Sequence, residues 1–275
     1  MSIATEITRL QGAKADIKTS IENKGVTVPI STTIDGYNIL IDSIPSGGEG
    51  NALIDDVLTY TNDIKEAIFR KLEELPELTI PNSANSSYFN FNEAGIKKCS
   101  FKNCNQLISL YQAFQYCSSL ESVSFDDTSR IVNMQQAFRY CTSLTTGVDM
   151  ENNSLTNIFG TYQGCTSLVT APKMGLSTAS VTIGSTFSGC TNLVNVPVYN
   201  LSGATGANGM FTNCGALSDE SLNNILASCI SGTRFSSYNK SLSALGFNAS
   251  TIAASRWQAC SNYSAFTSAG WTIGY

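Results

Sequence analysis

Apolar positions in the first 45 residues recur with a helical period. Ile3, Ile7, Leu10, Ile17 and Ile21 step by 4, 3, 7 and 4, which keeps them on one stripe of a helix. Lys14 fills the seam position that the seven-residue step skips, and Thr5, Glu6, Arg9 and Gln11 flank the seam. Gly12 weakens this helix by about 1 kcal/mol relative to alanine. Lys24-Gly25 offers a left-handed stop, followed by a short extended piece, Val26–Pro29. Ser31-Thr32-Thr33 then supply N-caps for a second helix carrying Ile34, Tyr37, Leu40, Ile41 and Ile44, which Pro45 ends. Residues 46–50, Ser-Gly-Gly-Glu-Gly, form a flexible linker. In 51–76, Ile54, Val57, Thr61, Ile64 and Ile68 again step by 3 and 4, so the spacing predicts a third amphipathic helix closed by Pro76. Two arrangements suit these helices: a bundle packed on the following domain, or a short parallel coiled coil. Isoleucine at both seam positions favours three or more strands. The expectation is therefore a homotrimer, with Ile3, Ile7, Leu10, Ile17 and Ile21 as oligomerisation residues.

From about residue 91 the pattern becomes a repeat. The units read Ala113-Phe114-Gln115-Tyr116-Cys117-Ser118-Ser119-Leu120, then Ala137-Phe138-Arg139-Tyr140-Cys141-Thr142-Ser143-Leu144. Tyr162, Cys165 and Leu168 follow, then Phe187, Cys190 and Leu193, then Phe211, Cys214 and Leu217. The cysteines at 117, 141, 165, 190 and 214 are 24, 24, 25 and 24 residues apart. A unit this short cannot bury its own apolar face, so stacking must place Phe over Phe, Cys over Cys and Leu over Leu. Two strand-like pieces per unit are expected. One follows the Leu (Glu121–Phe125, Thr145–Met150, Val169–Met174, Val194–Tyr199); the other precedes the Phe (Arg130–Met134, Leu155–Phe159, Ser180–Gly184). One short helical turn holds the Phe and the Cys.

Aligning Phe101 with Phe125 puts Ile96 at the place of Leu120, Cys99 at that of Val123 and Glu93 at that of a repeat cysteine. The solenoid then spans 86–217, with 86–101 an atypical cap, and Cys104 falls in a loop outside the register. After Leu217, a C-terminal cap over 218–275 is expected. Ser218 N-caps a helix through Leu222–Cys229, with Asp219 and Glu220 in its first turn. Ser241–Leu245 is a strand or turn, and Thr251–Cys260 a further helix. The aromatic tail Trp271–Tyr275 is expected to cover the open end of the stack. The fold class is α+β: an N-terminal helical, coiled-coil anchor followed by a leucine-rich-repeat-like solenoid of short strands and short helical turns.

Chemistry narrows the function. Charged residues make up only 13% of the chain, and Ser, Thr, Asn and Gly take over the surface, which suits a turn-rich repeat. The net charge is −5 with no Lys/Arg block, which argues against a nucleic-acid groove. There is no histidine, so Ser–His and Cys–His nucleophile pairs and His-ligated metals are excluded. The nine cysteines are an odd set. Equivalent thiols on stacked units point the same way, poor geometry for bridging, so the five in register are expected reduced and structural. Asp55-Asp56 and Asp126-Asp127 are adjacent carboxylates that do not share a face. Asp149 and Glu151 lack a calcium-loop pattern, and Gly203–Gly209 lacks the Lys-Ser/Thr of a phosphate loop. No catalytic residue, metal or cofactor is expected. Met1–Glu6 shows no signal-peptide pattern, and no run of about 18 apolar residues suggests a span. The candidate ligand-binding residues are Tyr116, Arg139 and Tyr140, set beside repeat cysteines on successive units, where an exposed edge would grip sugar or protein. Shielding of the core is the competing role for the tyrosines.

The Ala-Phe-x-x-Cys-x-x-Leu unit at this period resembles the BspA-like leucine-rich repeat family of bacterial surface proteins and phage structural proteins, over about residues 91–217. Two features depart from that pattern: Tyr162 stands for Phe, and Gly206–Gly209 replaces a regular second strand. The stretches Thr5–Gln11, Ala13–Lys18 and Lys24–Pro29 look like the start of many tailed-phage tail and fibre proteins. The ending Ala269–Tyr275 looks like that of phage proteins with such repeats. The resemblance implies a virion protein, assembled in the host cytoplasm: a tail or head fibre, or an appendage, presenting a repeat domain for host-surface attachment. Its implied partners are other virion proteins through the N-terminus and a host-surface glycan or protein, without nucleic acid or membrane insertion. The alternatives are a purely structural virion decoration and a bacterial surface adhesin.

Overall fold

The computed structural model describes residues 91–275 apart from 237 and 238, together with the strand Leu78–Thr79. The expected helices over 1–45 and 51–76, the linker 46–50 and the seam residues Ile3, Ile7, Leu10, Ile17 and Ile21 lie outside the described residues.

The described chain winds as a stack of short coils, each hydrogen-bonded in parallel to its neighbour. β1 (Leu78–Thr79), β2 (Lys98–Lys102) and β3 (Ser122–Phe125) form a parallel sheet in that order. Leu78 pairs with Phe101 and Phe101 with Phe125, so stacked elements occur upstream of residue 86. β4 (Met150–Leu155) and β5 (Met174–Leu176) form a second parallel pair. Elsewhere the expected strands shrink to single parallel bridges, such as Ser109–Asn133–Asn157–Thr182 and Thr146–Thr170–Asn195. The physical reason is that turns occupy most of a 24-residue coil, leaving only one or two residues extended where neighbours meet.

The expected helical turn around Phe and Cys is also corrected. Ala113, Cys117 and Leu120 each donate to the carbonyl three residues back, but two left-handed residues interrupt every coil. One column is Gln112, Gln136, Gly160, Ser185 and Gly209; the other is Glu93, Tyr116, Tyr140, Gly164, Gly189 and Asn213. A positive φ breaks the α-helical path, and the amides at these positions donate instead to the next coil, as Gln112 does to Gln135 and Tyr116 to Arg139.

The core is a ladder of rings. Phe91, Phe114, Phe138, Tyr162, Phe187, Phe211 and Phe247 stack in sequence with centroids 5.2 to 5.8 Å apart. Phe101 and Phe125 form a second, shorter stack. The assigned core residues Phe114, Cys117, Leu120, Phe138, Cys141, Leu144, Cys165, Leu168, Phe187, Cys190, Leu193, Phe211, Cys214 and Leu217 are all buried. Ile96 is buried like Leu120, and Cys99 pairs with Val123. Glu93 does not take a cysteine's place: its amide donates to Gln115 as that of Tyr116 does to Arg139, so Ala94 stands where Cys117 stands. The first turn is one residue shorter, Ala94-Gly95-Ile96 against Cys117-Ser118-Ser119-Leu120, and aligning on Phe101 alone hides that deletion.

Beyond Leu217 the coil is interrupted and then resumed. α1 (Asp219–Ser231) is N-capped by the Ser218 side chain, which accepts from the Ser221 amide. Its serines stand in for a neighbouring strand: the Ser221, Ser228 and Ser231 hydroxyls accept from the amides of Val196, Tyr199 and Leu201. The chain then returns, and Gly209 and Phe211 donate to Ala244 and Leu245. The ring that covers Phe211 is thus Phe247, set against Trp257. The expected helix over 251–260 is the shorter α2 (Ala254–Gln258), followed by α3 (Tyr263–Ser268). Trp271 is buried against Phe235 and Phe266, and the Tyr275 hydroxyl joins Trp257 Nε1 to the Ile252 carbonyl.

Candidate functional site

Tyr116, Arg139 and Tyr140 come together on the outer surface of two successive coils. Ala113, Phe114 and Cys117 turn inward and are fully buried. The residue just before each cysteine is left-handed, with φ of 62° at Tyr116 and 60° at Tyr140, and this conformation throws its side chain outward. Because the coils are in register, the two rings stack at 5.3 Å with an interplanar angle of 14°. They remain 42% and 37% exposed, so part of each ring faces solvent while the rest covers the coils. The Arg139 guanidinium carbon lies 4.9 Å from the centre of the Tyr140 ring, within cation–π range. Among the described residues Arg139 has no ion-pair partner, and its Nε is buried without a hydrogen-bond partner.

Polar side chains also bond from coil to coil. Gln112 Nε2 donates to Gln136 Oε1 at 2.8 Å, and Asn157 Nδ2 to Gln135 Oε1 at 2.9 Å. Ile108 and Tyr111, on the same coil as Tyr116, are also about half exposed. On the other side of Tyr140 the column continues as Gly164 and Gly189. A side chain on Gly164 would stand 2.7 Å from Tyr140 Cε1, so glycine is what lets the Tyr140 ring lie flat on the surface.

The cysteines are built into the wall beneath. Each Sγ donates to the carbonyl of the ring residue one coil back: Cys117 to Phe91, Cys141 to Phe114, Cys165 to Phe138, Cys190 to Tyr162 and Cys214 to Phe187, at 2.9 to 3.1 Å. Cysteine here is a small core residue that also satisfies a buried carbonyl. Burial pushes the Cys117 and Cys214 thiols up to about 12 and the other three higher; such thiols are poor nucleophiles. All nine cysteines are free. Cys104 lies outside the column, in the 3₁₀ turn Cys104–Gln106.

The acidic residues serve the backbone. The Asp126 carboxylate accepts from the amides of Asn103 and Cys104. Desolvation opposes its ionisation, but those hydrogen bonds outweigh it and hold its pKa below the usual carboxylate value. Asp127 closes a turn onto the Ser129 amide, and Asp149 accepts from the Lys173 amide. Among the described residues no three His, Cys, Asp or Glu side chains gather as a metal site, and no helix is long and apolar enough to cross a membrane.

Residues 56–169 match the model of the family described as BspA type leucine rich repeat region, in six copies. Among solved structures, the chain is similar to a crystal structure of a leucine rich repeat protein from T. pallidum. The two are 17% identical, with a TM-score of 0.33, over 54% of this chain and 81% of that one. No curated protein matches. The described fold is accordingly a leucine-rich-repeat type, with short strands and few helices.

Proposed function

We propose that this chain is a non-enzymatic attachment protein of a bacteriophage virion. In this reading it is a tail or head fibre or appendage, anchored as a homotrimer through its N-terminal helices, and it presents the repeat domain to a host-surface glycan or protein. The observation that carries the binding role is the exposed, stacked Tyr116–Tyr140 pair with the Arg139 guanidinium against it. Stacking in register holds these side chains before any ligand arrives, which lowers the entropy cost of binding. Aromatic rings with an adjacent guanidinium are the groups that dominate recognition surfaces. A BspA-type repeat fits attachment in general; the virion setting rests on the likeness of Thr5–Gln11, Ala13–Lys18, Lys24–Pro29 and Ala269–Tyr275 to phage proteins.

Two measurements test the proposal. Light scattering of the full chain should give three times its 29.4 kDa mass, and antibody labelling should place it on purified particles. Host adsorption should fall at least tenfold in the combined variant Tyr116→Ala, Arg139→Ala, Tyr140→Ala. Adsorption unchanged in that variant on intact particles would favour a purely structural decoration, and a chain found only on bacterial cells would favour a surface adhesin.

A further inference from the structure

We infer that the face beside Tyr140 binds a linear acidic glycan running along the solenoid axis, with Arg139 taking a carboxylate; this rests on the attachment reading above. The first ground is period. The Tyr116 and Tyr140 rings are 5.3 Å apart, and every coil-to-coil ring spacing in the core lies between 5.2 and 5.8 Å. A pyranose ring in an extended β-linked chain advances by a similar distance, so successive sugars step in register with successive coils.

The second ground is shape. The left-handed column runs Tyr140, Gly164, Gly189, Asn213. The Tyr140 ring covers Gly164, which is buried. A Cβ placed on Gly189 would meet only the Gly164 backbone, at 3.5 Å. A gap one coil wide therefore lies between the ring and the exposed Asn213, floored by backbone. The third ground is charge. The columns on either side run Arg139–Gln163–Ser188 and Thr142–Thr166–Thr191, so Ser188 and Thr191 stand at the coil of the gap and Arg139 at the Tyr140 end. They hold hydroxyls and amides, one cation and no carboxylate, although the chain as a whole is acidic. An unpaired guanidinium among neutral hydrogen-bonding groups suits a sugar carboxylate, which it can take in two parallel hydrogen bonds.

The test uses the full chain and hexamannuronate, a β-linked hexuronate, with cellohexaose as the uncharged control of similar length. Titration calorimetry should show saturable binding of hexamannuronate and at least tenfold weaker binding of cellohexaose. Arg139→Gln and Gly189→Asn should each weaken hexamannuronate at least tenfold. Asparagine is chosen because Asn213 already adopts φ 62° in this column, so the gap is filled without unfolding the coil; an unchanged melting temperature checks this. Equal affinity for the two hexamers, unchanged binding by both variants, or no binding of hexamannuronate would each overturn the inference. Loss of host adsorption in the triple variant at Tyr116, Arg139 and Tyr140, with none in Gly189→Asn, would overturn the gap and leave the attachment reading standing.

Discussion

At the scale of single residues, two kinds of position define this solenoid. The column cysteines combine small volume with a donor aimed at a buried carbonyl, and burial makes them reluctant to ionise. The sign of the consequence follows from linkage. Folded-state values raised to about 12 for Cys117 and Cys214, against 9.0 for an ordinary thiol, stabilise the fold fully below pH 9. That contribution is lost as pH rises from 9 toward 12, because the unfolded chain releases its protons first. Melting temperature at constant ionic strength should thus be level near neutrality and fall progressively above pH 9; a level curve to pH 11 would refute this. Left-handed positions are the second kind. Gly164→Ala places a Cβ against the Tyr140 ring at a φ of +74°, whereas Gly189→Ala at φ +80° meets only the Gly164 backbone, at an ordinary contact distance of 3.5 Å. Both pay for the left-handed conformation, about 1–2 kcal/mol. Gly164→Ala should cost more, and it alone should displace Tyr140, read as a change in tyrosine fluorescence.

At the scale of elements, α1 replaces a coil without leaving the preceding coil unsatisfied. The extended stretch from Val194 to Leu201 needs acceptors for its buried amides, and a helix offers no free carbonyl edge to supply them. Serines at 221, 228 and 231 supply hydroxyls instead, at 2.7 to 2.8 Å. Ser228 also donates to the Asn224 carbonyl within the helix, so its hydroxyl is used in both directions. Ser228→Ala leaves the Tyr199 amide buried without an acceptor and should destabilise by about 1–3 kcal/mol, measured by denaturant unfolding. Ser231 is only part-buried, so its replacement should cost less.

At the scale of the molecule, the seven-ring ladder is a one-dimensional core in which each coil depends on its neighbours. Its far end is closed by Phe247 and Trp257 rather than by the last repeat. Truncation after Leu217 removes those rings, frees the Gly209 and Phe211 amides, and strips the serine acceptors from Val196 to Leu201. The shortened chain should aggregate or bind a hydrophobic dye strongly, whereas the full chain should not; a soluble, dye-negative fragment would show that the cap is dispensable. The stack also fixes Tyr116 over Tyr140, with ring centroids 5.3 Å apart, close to the spacing of the core rings.

The repeat itself was legible because stacking forces identity: only positions that meet their own counterparts must recur, and Phe, Cys and Leu do. Register from Cys117 to Cys214 follows from the same arithmetic, and the N-cap at Ser218 from its residue type ahead of an acidic first turn. Other features are invisible to a one-dimensional pattern. The deletion that puts Ala94 in the cysteine column conserves no letter, and Phe247 is 36 residues beyond Phe211 because a helix intervenes. The left-handed columns mix Tyr, Gln, Gly, Ser and Asn, so backbone conformation there was set by coil-to-coil hydrogen bonding rather than by residue type. Sequence alone determined that this protein is a stack and which side chains form its spine. Tertiary structure decided where the stack ends, how its cysteines are used and which residues face outward together, because each of those depends on contacts between coils and not on order along the chain.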